Sequence, residues 1–108
     1  MNRFSKLAIE CIRQNRLLVK KKLVLQNFGN VSLRFDKDHF IIKPSGANLN
    51  LLKPEDIPVI KISSQKKISG RLKPSTDAPT HLEIYKKYVD IKSIAKLIKT
   101  VLNFISLD

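Results

Sequence analysis

The chain has 108 residues, 43% of them hydrophobic, with 21 Lys and Arg against 9 acids and a formal charge of +12. That suits one domain with a modest core and excludes a compositionally disordered chain. The single cysteine, Cys11, excludes an intramolecular disulfide and a cysteine-based zinc site, and no apolar run approaches the ~20 residues of a membrane span, so a soluble cytoplasmic protein with no membrane partner is expected.

The basic excess favours anionic partners, either nucleic acid or phosphorylated metabolites. It is equally what Lys-, Ile- and Asn-rich coding produces, and the basic residues are spread along the chain. Phe4, Leu7, Ala8, Cys11 and Ile12 recur at helical spacing and predict an amphipathic helix with Cys11 in its core stripe. Charges interrupt this segment too often for a signal-peptide core. Lys20, Lys21 and Lys22 stand where a helix C-terminus favours cations, or in a solvated turn.

Val31, Leu33 and Phe35 alternate with Ser32 and Arg34, which predicts a half-buried strand. "DKDH" reads as a turn with His39 in solvent, and "FIIKP" as the second strand of a hairpin. "SGAN" is a loop, "LLKPEDI" one helical turn with Pro54 near its start, "PVIKI" a third strand, and "SSQKK" a turn. "ISGRLKP" is a loop or short strand. "DAPTHLEIYKKY" predicts a helix with Asp77 as N-cap and Pro79 in its first turn; Thr80 and Glu83 offer a competing capping box. Ile94, Leu97, Ile98, Val101, Leu102 and Ile105 form a further helical stripe. Helices and strands in this order predict an α/β or α+β domain.

Three polar loops carry the candidate chemistry: Gly29-Asn30 with Ser32, Lys43-Pro44-Ser45-Gly46, and Lys73-Pro74-Ser75-Thr76-Asp77. Each combines small residues with a hydroxyl or amide, two carry a lysine, and the third precedes a helix whose first N–H groups have no partner within the helix. Such loops suit a phosphate ester, and they equally suit ordinary turns. None matches the nucleotide-binding phosphate loop. Asp77 and His81 are four apart, a weak metal pair, because zinc needs at least three protein ligands.

In order and spacing, "NFGNVSLR", "FIIKPSGA", "LKPEDIPVI" and "GRLKPSTDAPTHLEIYKKY" resemble the first half of the class II aldolase and L-ribulose-5-phosphate 4-epimerase family. The resemblance runs from the first helix to about Ile94. It implies an α/β/α sandwich with a mainly antiparallel sheet. It implies that Gly29, Asn30, Lys43, Ser45, Gly46, Ser75 and Thr76 bind substrate and phosphate, and that Asp77 lies beside a divalent metal, usually zinc. Asp77 with Pro79-Thr80-His81-Leu82-Glu83, and Phe28 before Gly-Asn, are similar to the epimerase branch. That branch inverts C4 of a pentulose 5-phosphate by metal-assisted retro-aldol cleavage and re-addition, in a homo-tetramer.

The resemblance departs after "IKSI", where the family continues with a His-x-His pair of metal ligands; this chain has no His after His81. It predicts an epimerase-like portion at residues 1–94, a divergent helical tail at 95–108 and an incomplete metal site at Asp77. A frameshift or truncated reading frame is the expectation, with zinc not retained and the chain inactive as an epimerase by itself. The alternatives are a small basic nucleic-acid-binding protein, and a phosphate-binding fragment that pairs with a separate second half.

Overall fold

The computed structural model describes residues 1–24 and 29–97. Helix α1 (Arg3–Lys20) opens the chain, with the Asn2 side chain accepting the Ser5 N–H at 2.7 Å as an N-cap. The helix stops as Lys22 takes a left-handed φ of 59°. The expected stripe is its buried face: Ala8, Cys11 and Ile12 are all in the core. There follow β1 (Asn30–Asp36), β2 (His39–Ile42), short 3₁₀ turns at Leu49–Leu51 and Pro54–Asp56, β3 (Val59–Lys61), β4 (Lys66–Ser69), α2 (Ala78–Lys87) and β5 (Ser93–Lys96). No described helix is long and apolar enough to cross a membrane.

The strands form one sheet in the order β4-β3-β2-β1-β5, and each neighbouring pair is antiparallel. Alternate residues point to opposite faces, so one sheet feeds two cores. Val31, Leu33, Ile41 and Val59 pack under α1. Phe40, Ile42 and Ile60 pack under Ala78, Leu82 and Tyr85 of α2. The result is the expected α/β/α sandwich with an antiparallel sheet. Asn15 ties the first layer to the second. Its Oδ1 accepts the Val31 N–H at 2.8 Å, and its Nδ2 donates to the carbonyls of Val31 and Cys11.

Three expectations are corrected. Strand β1 is covered on both faces over its first half, because α2 closes over Ser32, which is fully buried. His39 starts β2 half-buried, with Nδ1 2.8 Å from Asp36 Oδ1, rather than lying in a solvated turn. The helical stripe starting at Ile94 fails in its first turn, since Ser93–Lys96 is strand β5, paired with Asn30–Leu33. The cause is the open edge of β1, whose unpaired N–H and C=O groups favour a ladder over the local helical pattern. The strand crosses the expected boundary between residues 94 and 95. The rest of that stripe, and Phe28, lie outside the described residues.

Candidate functional site

The two Lys-Pro-Ser loops are zipped to each other. The Ser45 N–H donates to Lys73 O and the Ser75 N–H donates to Lys43 O, each at 2.9 Å, around an isolated bridge between Pro44 and Pro74. Proline brings no N–H of its own, so this short ladder uses the serine donors on either side. The first loop is reached from the end of β2, and the second leads directly into α2. Their pairing sets Ser45 opposite Lys73 and Ser75 opposite Lys43, and the Gly29-Asn30 corner at the start of β1 joins them through the Asn30–Ser75 and Lys43–Gly29 bonds.

Buried residues form the floor. Asn30 Nδ2 donates to Asp77 Oδ2 at 2.6 Å and to Ser75 Oγ at 3.3 Å. Lys43 is buried, and its Nζ donates to Gly29 O at 3.2 Å. Burial lowers the Lys43 ammonium, and the charge of Asp77 pulls it partly back up. The rim is exposed: Ser45, Gly46 and Thr76 face solvent. Gly46 adopts φ 63°, and no atom lies within 4 Å of where its Cβ would stand. Thr76 and Ser75 also line a cavity of about 460 Å³ with Lys67, Gln65 and Glu83. The sequence-derived residues therefore come together, as a buried floor and an open rim.

Ser75 Oγ accepts from Asn30 Nδ2 and from the Asp77 N–H, which leaves its hydroxyl proton to donate elsewhere. Both Asn30 amide protons are engaged with Ser75 and Asp77, and among the described residues its buried Oδ1 has no partner. Asn30 therefore has no amide proton left for a phosphate oxygen, and its role is to hold Ser75 and Asp77.

Asp77 occupies the N-cap position of α2, but its side chain makes no cap bond. The carboxylate turns instead to Asn30 and to Lys96 of β5, whose Nζ donates to Oδ1 at 2.7 Å. Burial pushes the Asp77 carboxyl up, but the hydrogen bonds from Lys96 and Asn30 outweigh it and hold the group below its ordinary value. The Thr80–Glu83 capping box does not form, because both residues lie inside the helix that Asp77 begins.

Lys96 is the site residue that sequence reasoning missed. It fell in a segment read as helix, and its partner is 19 positions away in sequence. The signal that could have found it is the β-branched and small run "KSIA" beside an unpaired edge.

His81 does not face Asp77 as a ligand. It is buried, with Nδ1 2.6 Å from Ser32 Oγ, which is itself 2.8 Å from the Tyr85 hydroxyl. Burial lowers His81 to about 4, with Asp77 opposing that shift and Lys96 adding to it, and burial raises Tyr85 to about 12. The neutral chain Tyr85–Ser32–His81 locks α2 onto β1. Ser32 is fully buried, which rules it out as an accessible nucleophile.

A protein-held zinc ion needs at least three protein ligands. Among the described residues, no group of three or more His, Cys, Asp or Glu could hold one. Asp77 supplies one carboxylate, already bonded through both oxygens. The described residues do not fit a metal centre by themselves.

Residues 9–102 match the family described as "Class II Aldolase and Adducin N-terminal domain". The chain is 37% identical over 86 residues to "Probable L-ribulose-5-phosphate 4-epimerase UlaF" of Mycoplasma pneumoniae, an alignment that covers 79% of this chain and 36% of that protein. Among solved structures, it is similar to an L-fuculose 1-phosphate aldolase, with a TM-score of 0.76 and 31% identity over 84% of this chain and 43% of the other. The L-fuculose 1-phosphate aldolase of Glaciozyma antarctica, at 18% identity and a TM-score of 0.70, covering 86% of this chain and 40% of the other, shares the fold. The chain therefore spans less than half the length of these relatives. With the family matched across most of its length on the loops just described, the chain belongs to the class II aldolase family and is homologous to L-ribulose-5-phosphate 4-epimerase.

Proposed function

We propose that the zipped loops bind the phosphate end of a sugar phosphate, a pentulose 5-phosphate in the epimerase reading, and that this chain carries the substrate-holding part of an epimerase-type site. The observation that carries the proposal is the pairing of the two Lys-Pro-Ser loops, which sets Ser75, its hydroxyl proton left to donate, opposite the buried Lys43 and leaves Ser45, Gly46 and Thr76 on the exposed rim. Charge-assisted donors in a fixed frame are what a phosphate oxygen needs. Gly46 lets a ligand approach the backbone, and Asn30 holds Ser75 and Asp77 in place beneath it. Two relatives, at 37% and 31% identity, are named for an L-ribulose-5-phosphate 4-epimerase and an L-fuculose 1-phosphate aldolase.

The family is metal-dependent, and the epimerase chemistry needs a metal to stabilise the enediolate. The described residues do not supply its ligands, so the role proposed for this chain is to bind and orient the substrate rather than to cleave its C–C bond.

The test is calorimetric titration of the chain with L-ribulose 5-phosphate and with inorganic phosphate. Both should bind competitively, and Ser75→Ala should weaken each about tenfold, the effect of one hydrogen bond to a charged group. Binding that Ser75→Ala and Lys43→Met leave unchanged would sink the site. A second reading, nucleic acid, is favoured by the +12 charge and by a groove of about 580 Å³ lined by Arg13, Arg16 and Lys20 on α1. Affinity for generic RNA falling steeply with salt, with no response to sugar phosphate, would favour it instead.

A further inference from the structure

We propose that Lys96 is the built-in cation of this site: its ammonium holds the position beside Asp77 that a divalent ion would need, and it excludes such an ion from the carboxylate. Three observations carry this. The first is register. Asn30 and Lys96 are direct partners across β1 and β5, so their side chains stand together on the face toward α2. Both reach the same carboxylate, Asn30 on Oδ2 at 2.6 Å and Lys96 on Oδ1 at 2.7 Å. Each donor takes one lone pair of its oxygen, and an ion binding Oδ1 through the other would have to sit against the Lys96 ammonium 2.7 Å away.

The second observation is a steric device that fixes the end of β5. A Cβ at Gly29 would lie 2.9 Å from the Lys96 carbonyl oxygen and 1.9 Å from a Val24 methyl. Only glycine lets the chain before β1 approach the Lys96 backbone this closely, so Lys96 is held at a set height along Asn30. The third is charge balance. Asp77 lies near the ammoniums of both Lys43 and Lys96, and a dication beside that pair would meet repulsion. An ammonium donates hydrogen bonds and fixes the carboxylate, but it offers no vacant coordination position. The site's positive field then comes from two lysines belonging to the chain itself.

The inference stands apart from the phosphate reading, and the experiment separates them. The labelled chain is titrated with zinc chloride after extraction with EDTA, following the Asn30 side-chain amide and the Asp77 backbone amide by NMR. Both signals should stay in place in the wild type. Lys96→Met should displace both in zinc-free buffer and lower the melting midpoint by about 4 °C, whereas Lys96→Arg should restore them. A saturable zinc shift at Asn30 and Asp77 in the wild type would overturn the inference, and that arm needs no variant to fold. So would Lys96→Met leaving the Asn30 signal in place, because the ammonium would then not be holding the carboxylate. Inorganic phosphate is added in the same EDTA buffer. Its failure to bind would remove the phosphate reading and leave the zinc result to decide on Lys96.

Discussion

Single residues in this domain have two or three partners each, and their substitution should be felt accordingly. Ser32 connects His81 Nδ1 and the Tyr85 hydroxyl in a region with no water access. Ser32→Ala leaves both without a partner and should cost about 2–4 kcal/mol in chemical denaturation. His81 gives a pH signature. Its value falls from 6.5 in the unfolded chain to about 4 in the fold, so the native state resists a proton that the unfolded state accepts. Above pH 6.5 the group is neutral in both states and contributes no slope. Between 6.5 and 4 stability should fall as the pH drops, by on the order of 3 kcal/mol in all, and His81→Gln should flatten that slope in melting curves. Gly29→Ala meets Val24 and the Lys96 carbonyl well inside van der Waals distance. It should lose several kcal/mol or fail to fold, whereas Gly46→Ala, with open space around it, should cost only about 1 kcal/mol for its positive φ.

At the scale of elements, polar side chains fasten each helix to the sheet where apolar packing alone would let it slide. Asn15 does this for α1, acting as both donor and acceptor toward Val31. Asn15→Leu keeps the size but leaves the Val31 N–H and C=O without these partners, and should cost about 2–3 kcal/mol. Arg34 does it for α2 and β5. Its Nε donates to Ile91 O at 2.7 Å and its Nη2 donates to Tyr85 O at 3.0 Å, while the guanidinium lies over the Tyr85 ring at 4.8 Å. These bonds satisfy a carbonyl near the end of α2 and pin the connection into β5. Arg34→Met should therefore speed hydrogen exchange in Ser93–Lys96 more than in β2. Equal acceleration in both strands would show that Arg34 only contributes to global stability.

For the whole molecule, charge is the governing feature. A formal +12 on 108 residues places like charges close together on a small surface, and self-repulsion opposes the compact state. Raising chloride from about 20 mM to about 300 mM shortens the Debye length from tens of ångströms to a few, so the melting midpoint should rise with salt. A midpoint that falls would mean that the ion pairs, Lys96 with Asp77 and Arg71 with Asp56, outweigh the repulsion. Strand β4 is exposed throughout and carries Lys66 and Lys67, which keeps this sheet edge from pairing with another chain.

Elements whose periodicity is strong and whose partners are near are legible without the fold: the α1 stripe, the β1–β2 hairpin, the α2 start behind Asp77. The sequence also marks the three loops, because small residues, hydroxyls and lysines clustered between apolar runs are visible without any fold. The tertiary structure alone decided the rest. It chose strand over helix at Ser93–Lys96, since the open edge of β1 offered hydrogen bonds that no local pattern encodes. It covered Ser32, because burial of a strand's second face depends on where α2 packs. It also turned Asp77 away from the helix cap toward Asn30 and Lys96, as only the β1–β5 register brings those donors within 2.7 Å. Local pattern fixes what a residue prefers; long-range pairing decides which of its preferences are met.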